Sequence, residues 1–349
     1  MVEKFEELLE QAYLAPRGKV KIGLLEEAIR IADTHLDIDA QFDARMELVD
    51  TAIFSGHGEK AIVAFAWCLA QYDKNPNMYN DHQMMWNYKW VTDRLLEFPD
   101  IELQKVKATL EDLKKRFTQT GHGPHFYYYI KQALAMQLEK TDEVQHYYEK
   151  WIREPSDSLS DCRACTLANQ TKTLLYLDKL EEALAVAEPI LKRRLSCHSV
   201  PHRTYADLLL PLLKANRKEE ADDYYQKCYQ LIYNQTGFMD TVVHLLTYAT
   251  ITDIPKAISL LEKYLPEAID SDESAVRYQF YTVATVLWDL LDEETKKTVK
   301  LPDTNNMTQI NEELVRLANL FNKQNKTDVF TKKIDRIQTE IRHLHQIKN

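Results

Sequence analysis

The stretch LANQTKTLLYLDKLEEALAVAEPIL, residues 167–191, reads as two helices joined by a polar turn. Its centre, DKLEEA at 178–183, runs from a turn residue through an acidic pair to a small apolar residue. The same order returns as GHGEKA at 56–61, NRKEEA at 216–221 and TDIPKA at 252–257. Weaker copies are GLLEEA at 23–28, KTDEV at 140–144 and the ELQKV that ends at Val106. The anchors are then Ala28, Ala61, Val106, Val144, Ala183, Ala221 and Ala257, with successive spacings between 33 and 45 residues. A fixed period in this range marks a repeat array, in which each unit is one supersecondary motif. The chemistry of the signature explains the repeat. One helix must end, the chain must turn tightly, and the next helix must pack back on the first. Gly56, Asp178, Asn216 and Asp253 stand at those turns and suit caps or left-handed backbone. Pro255 suits a first helical turn, where its missing N–H costs nothing. The small anchor lets the two helices approach closely. Each pair buries only part of its apolar face, so neighbouring pairs must stack.

On these residues the chain resembles the tetratricopeptide superfamily, over roughly residues 20–270. The likeness is clearest at 167–191 and in YADLLLPLLKANRKEEADDYYQKCYQL at 205–231. Leu167, Thr171 and Leu174 fall on the family's first-helix core positions, and Ala183, Ala187 and Ile190 on those of its second helix. Leu209 stands where the family has a small residue, and the usual closing proline is mostly missing. The fold expected is all-α, an α-α superhelix or tetratricopeptide-like solenoid of about seven helix pairs with C-terminal capping helices. The resemblance implies a scaffold that binds proteins or extended peptides in a concave groove lined by first helices. By the family's positions, the groove residues are Tyr129, Asn169, Lys172, Tyr176, Arg203 and Asp207.

Composition agrees with this class. Only 7 of 349 residues are glycine, well below the ordinary ~7% that sheet turns and bulges draw on. Hydrophobic residues are 45% and charged residues 28%, enough apolar surface for an ordered fold. The net charge of −10 argues against a nucleic-acid partner. No apolar run approaches the ~20 residues that span a bilayer. The N-terminal MVEKFEELLEQAYLAP is acidic and lacks the basic start and apolar run of a signal peptide, so a cytoplasmic location is expected.

The solenoid is expected over 1–300, with a linker and capping helices over 301–349. A helix is expected from Asp272 to Leu291, LPDTNNMT at 301–308 reads as the linker, and helices follow at 308–322 and 327–347. In the last, Phe330, Ile334, Ile337, Ile341 and Leu344 recur at spacings of 4, 3, 4 and 3, a narrow apolar seam. It suits a cap on the open end of the array, or a partner helix through which two copies form a homodimer. Pro189 and Pro211 fall inside expected helices.

Four residues carry a candidate chemistry. Cys162 and Cys165 open the first helix of the fifth pair, and Cys197 and His202 (or His198) follow its second helix. In a helix hairpin the start of one helix and the end of the other lie together, so the four can converge. A Cys₃His set is a closed zinc arrangement. A structural zinc site, a packed thiol cluster and a redox pair are the three readings open for it. No other cofactor is implied. Cys68 and Cys228 read as core. The five cysteines are too few and too odd in number for a disulfide framework. Trp86 and Trp90, four residues apart, read as core packing or as an aromatic binding patch. Walker, GxGxxG, HExxH and GxSxG motifs are missing, so a non-catalytic binding protein is expected rather than an enzyme. The alternative is a peptide-responsive bacterial regulator similar to the pheromone-sensing tetratricopeptide proteins, here without a DNA-binding domain.

Overall fold

The computed structural model describes residues 1–235, 237–302 and 306–348. Among them lie 18 α-helices, two short 3₁₀ turns and no strand. The first six helices are α1 (Val2–Leu14), α2 (Lys19–His35), α3 (Ile38–Ile53), α4 (Gly58–Lys74), α5 (Asp81–Arg94) and α6 (Leu103–Gln119). Then come α7 (His125–Gln137), α8 (Thr141–Arg153), α9 (Arg163–Tyr176), α10 (Leu180–Leu191), α11 (His202–Lys214) and α12 (Lys218–Ile232). The last six are α13 (Met239–Thr252), α14 (Ile254–Asp270), α15 (Ser274–Leu290), α16 (Glu293–Thr298), α17 (Met307–Asn325) and α18 (Val329–Lys348).

The repeat signature maps onto this order directly. The seven anchors fall on the seven even-numbered helices from α2 to α14, and none is more than 1% exposed. Packing is between sequence neighbours: α1 on α2, α3 on α4, α5 on α6, α9 on α10, α11 on α12 and α13 on α14. The architecture is therefore an all-α helical repeat. Gly56, Asp178 and Asn216 hold left-handed backbone at φ of 73°, 59° and 60°, as their turns require. Asp253 does its work differently, accepting the Lys256 N–H at 3.1 Å as the cap of α14. The turn before α8 uses Glu139 in left-handed backbone, at φ 55°. Pro189 and Pro211 lie within α10 and α11. The helices expected at 272–291, 308–322 and 327–347 are present as α15, α17 and α18, whereas residues 303–305 of the expected linker lie outside the described residues.

The chain forms two compact units. The first is Met1–Tyr127 with Ser156–Leu159. Here the Trp86 and Trp90 rings find an occupant inside the unit. Lys89 is fully buried, with its ammonium 4.2 Å from the Trp86 ring centroid and 4.5 Å from that of Trp90. The same ammonium lies 5.2 Å from Phe126 and donates to the Leu159 carbonyl at 2.9 Å. Three aromatic faces and a carbonyl thus replace the water that a buried cation loses.

The second unit is Tyr128–Pro155 with Ser160–Asn349, and its largest core runs from α11 to α18. Helix α15 is apolar on almost every side, because α13, α14, α17 and α18 all pack on it. The seam of α18 faces this core. Phe330, Ile334 and Ile341 are buried, and Ile337 and Leu344 pack against the same cluster. The polar side of α18 is tied to several repeats at once. Arg336 donates from both terminal nitrogens to the Glu139 carboxylate, one of them at 2.8 Å. Lys214 pairs with Glu340, Arg342 reaches Asp289 at 2.8 Å, and Lys348 donates to the Asn216 side chain at 2.8 Å.

Candidate functional site

The start of α9 and the loop after α10 meet, as hairpin geometry requires. Cys162 is the N-cap of α9, and its sulfur accepts the Cys165 N–H at 3.5 Å. Ala164, Ala168, Ile190 and Val200 form a small buried cluster, and Cys165, Cys197 and Leu195 pack on it. This packing brings the sulfurs of Cys162, Cys165 and Cys197 within 4.8 Å of one another. Cys165 and Cys197 are the tightest pair, with sulfurs 3.0 Å apart, and the Ser199 hydroxyl lies 3.9 and 3.8 Å from them. Cys162 is exposed, and the other two are half-buried. Such a trio can hold a metal ion.

His202, expected as the fourth ligand, stands outside the group. It is the first residue of α11 and is buried, with its ring edge-on to Phe238 at 4.6 Å. Its own carbonyl accepts from the Cys228 thiol at 3.3 Å. The separation has a simple cause: the turn at 198–201 completes before α11 begins, and the apolar Phe238 face takes the imidazole. Burial lowers the His202 pKa to about 4, against an opposing pull from Asp240. Cys68 and Cys228 are fully buried, as read.

The hydrogen bond between the Cys165 and Cys197 sulfurs, in which either can be the donor, holds the Cys197 pKa below the ordinary thiol range, and the Ser199 N–H and hydroxyl add to this. The same hydrogen bond, followed by burial, pushes Cys165 up, and the positive charge of Arg203 works against the rise.

Arg203 links the thiols to a second group of residues. It donates to the Asn169 side-chain oxygen at 2.9 Å, and the Asn169 amide donates to Asp161 at 3.4 Å, one residue before Cys162. Helices α9, α11 and α13 therefore supply one polar cluster: Asn169 and Lys172, then Arg203 and Asp207, then Asp240 and His244. His244 Nε2 lies 3.4 Å from Asp207 Oδ1, while Asp207 Oδ2 has no hydrogen-bond partner among the described residues. Asp240 and Lys172 reach solvent, yet desolvation is the largest influence on Arg203, Asp240 and His244. Against that desolvation, the charges of Lys172 and Arg203 and the Thr241 N–H hold the Asp240 carboxyl below its ordinary range. Desolvation likewise lowers His244 despite Asp207 and Asp240 nearby.

Of the six residues expected in the groove, Asn169, Lys172, Arg203 and Asp207 join this cluster. Asn169 and Asp207 are buried and Arg203 is half-buried, so only Lys172 of the four is fully exposed. Tyr129 is half-buried with its ring 5.1 Å from Trp151. Tyr176 is half-buried at the end of α9. Asp240 and His244 were missed by sequence reasoning. They sit three and seven residues beyond Gly237, on a helix whose high apolar content hides them. The signal that finds them is positional, since they occupy in α13 the places that Arg203 and Asp207 occupy in α11. Among the described residues no helix is long and apolar enough to cross a membrane. No protein-family model matches this chain, and no curated protein is significantly similar to it in sequence.

Proposed function

We propose that the protein is a non-catalytic scaffold that binds a protein or an extended peptide, with the polar cluster of α9, α11 and α13 as its contact surface. The observation that carries this reading is the polar cluster itself. Cations and anions from three successive odd-numbered helices converge there, with Lys172 and Asp240 turned to solvent. Mixed charges and side-chain amides satisfy the backbone groups of an extended chain, and several repeats must act together to offset its ordering entropy. The resemblance to tetratricopeptide repeats supports the same reading. A structural zinc would fasten the start of α9 to the 195–201 loop and leave the polar cluster unchanged. Elemental analysis of protein purified without chelator reads it as about one zinc per chain.

The test uses the two exposed members. Lys172→Glu combined with Asp240→Lys should abolish capture of partners from the native host, read by quantitative mass spectrometry against the parent chain. The thermal midpoint should stay within a few degrees, since exposed substitutions are usually worth under about 0.5 kcal/mol each. Undiminished capture would place the contact surface elsewhere.

A further inference from the structure

Three thiols from two segments 32 residues apart meet at the α9 N-terminus. Their spacing is uneven. Two thiolates bound to one tetrahedral zinc, with Zn–S of about 2.3 Å, stand about 3.8 Å apart. Cys165 and Cys197 are closer than that, at 3.0 Å, and about 1 Å beyond a sulfur–sulfur bond. Both are half-buried rather than sealed, and Cys162 beside them is exposed. The segments that carry them are already docked through buried Ala164, Ala168, Ile190 and Val200. Bond formation therefore has to draw the two sulfurs together by about 1 Å.

We propose that Cys165 and Cys197 form a reversible dithiol–disulfide pair that exchanges with low-molecular-weight disulfides. Cys197 is taken as the attacking thiol, because the Cys165 sulfur at 3.0 Å and the Ser199 hydroxyl at 3.8 Å stand beside its sulfur, where both can donate to a thiolate. It attacks one sulfur of the small disulfide, forms a mixed disulfide and expels the first small thiolate. Cys165, as thiolate, then attacks the Cys197 sulfur and expels the second. The two protons lost from Cys197 and Cys165 leave on the two small thiols. The protein pair is oxidised by two electrons and the small disulfide is reduced by the same two.

The experiment uses the full chain, reduced and then incubated with glutathione disulfide. Titratable thiols in the denatured protein should fall from five to three, and the intact mass should drop by two hydrogens. Peptide mapping without reductant should find Cys165 joined to Cys197, and dithiothreitol should restore all five thiols. Cys165→Ser should stop at the first step, with glutathione retained on Cys197, while Cys162→Ser should still close the pair. Three results overturn the proposal: five thiols persisting at every disulfide concentration, a bond mapped to Cys162 and Cys165, or thiols that react only after a chelator strips a stoichiometric metal. If Cys165→Ser fails to fold, the mapped bond in the parent chain decides alone.

Discussion

At the scale of single residues, Lys89 and His202 make opposite demands on their surroundings. Lys89 is held by three rings and one carbonyl, so Lys89→Ala leaves the Leu159 oxygen without its donor and a cavity between Trp86 and Trp90. We predict a loss of about 3 kcal/mol, read as a lower urea midpoint for the first unit's tryptophan fluorescence. His202 is buried neutral. Its pKa of about 4 lies below the ordinary 6.5, so between these values the unfolded chain takes up a proton that the native chain refuses. The contribution is complete above pH 6.5 and disappears as the pH falls to about 4. His202→Gln should therefore flatten the stability profile across that window by about 2 kcal/mol relative to the parent, in urea titrations at matched pH. An equal acid loss in both proteins would show that His202 does not titrate on unfolding. The contrast also shows what sequence can carry at this scale. Cys162, Cys165 and Cys197 were legible as a meeting point because a hairpin fixes which ends adjoin. The fate of His202 depended on Phe238, 36 residues away, which no local spacing reports.

At the scale of elements, α18 does more than close an array. It buries Phe330, Ile334 and Ile341 against α13, α15 and α17 while its polar side reaches Glu139, Lys214, Asn216 and Asp289. Truncating its best-buried aliphatic anchor, Ile341→Ala, should cost about 2–4 kcal/mol and expose the lysines and arginines of α18 to trypsin before the rest of the unit unfolds. Equal protection of α18 in variant and parent would count against this. Glu139→Lys removes the acceptor shared by Arg336 and Lys333, and places a cation beside both. It should lower stability by about 1 kcal/mol, with partial recovery in the swap that adds Arg336→Glu. The position of α18 was half legible. Its seam at 4, 3, 4, 3 gave the buried face, and the surface receiving that face became visible only once α13 and α15 were in place. The second helix of each pair was legible through its anchor, because a small residue at the closest approach of two helices cannot be replaced by a larger one without separating them, whereas helix boundaries were not.

At the scale of the whole molecule, burial is uneven. Helix α15 has 11 of its 17 residues buried, α11 has 9 of 13 and α13 has 10 of 14, while α16 buries none. Amide hydrogen exchange should be slowest in α11, α13 and α15 and fast in α16, because protection follows the free energy of opening. Uniform protection along the second unit would contradict the burial pattern. The division of the chain into two compact units was not legible, since the repeat signature runs through Val106 and Val144 without a break. A period reports what each repeat shares, and a boundary arises from which neighbours lack contact. The ion pair between Arg336 and Glu139 joins residues 197 apart in sequence, and α18 is the later partner in each of its ties. A ribosome delivers the chain in order. Helices α13, α15 and α17 therefore leave the exit tunnel with their α18-facing surface bare, and that surface stays uncovered until α18 is made.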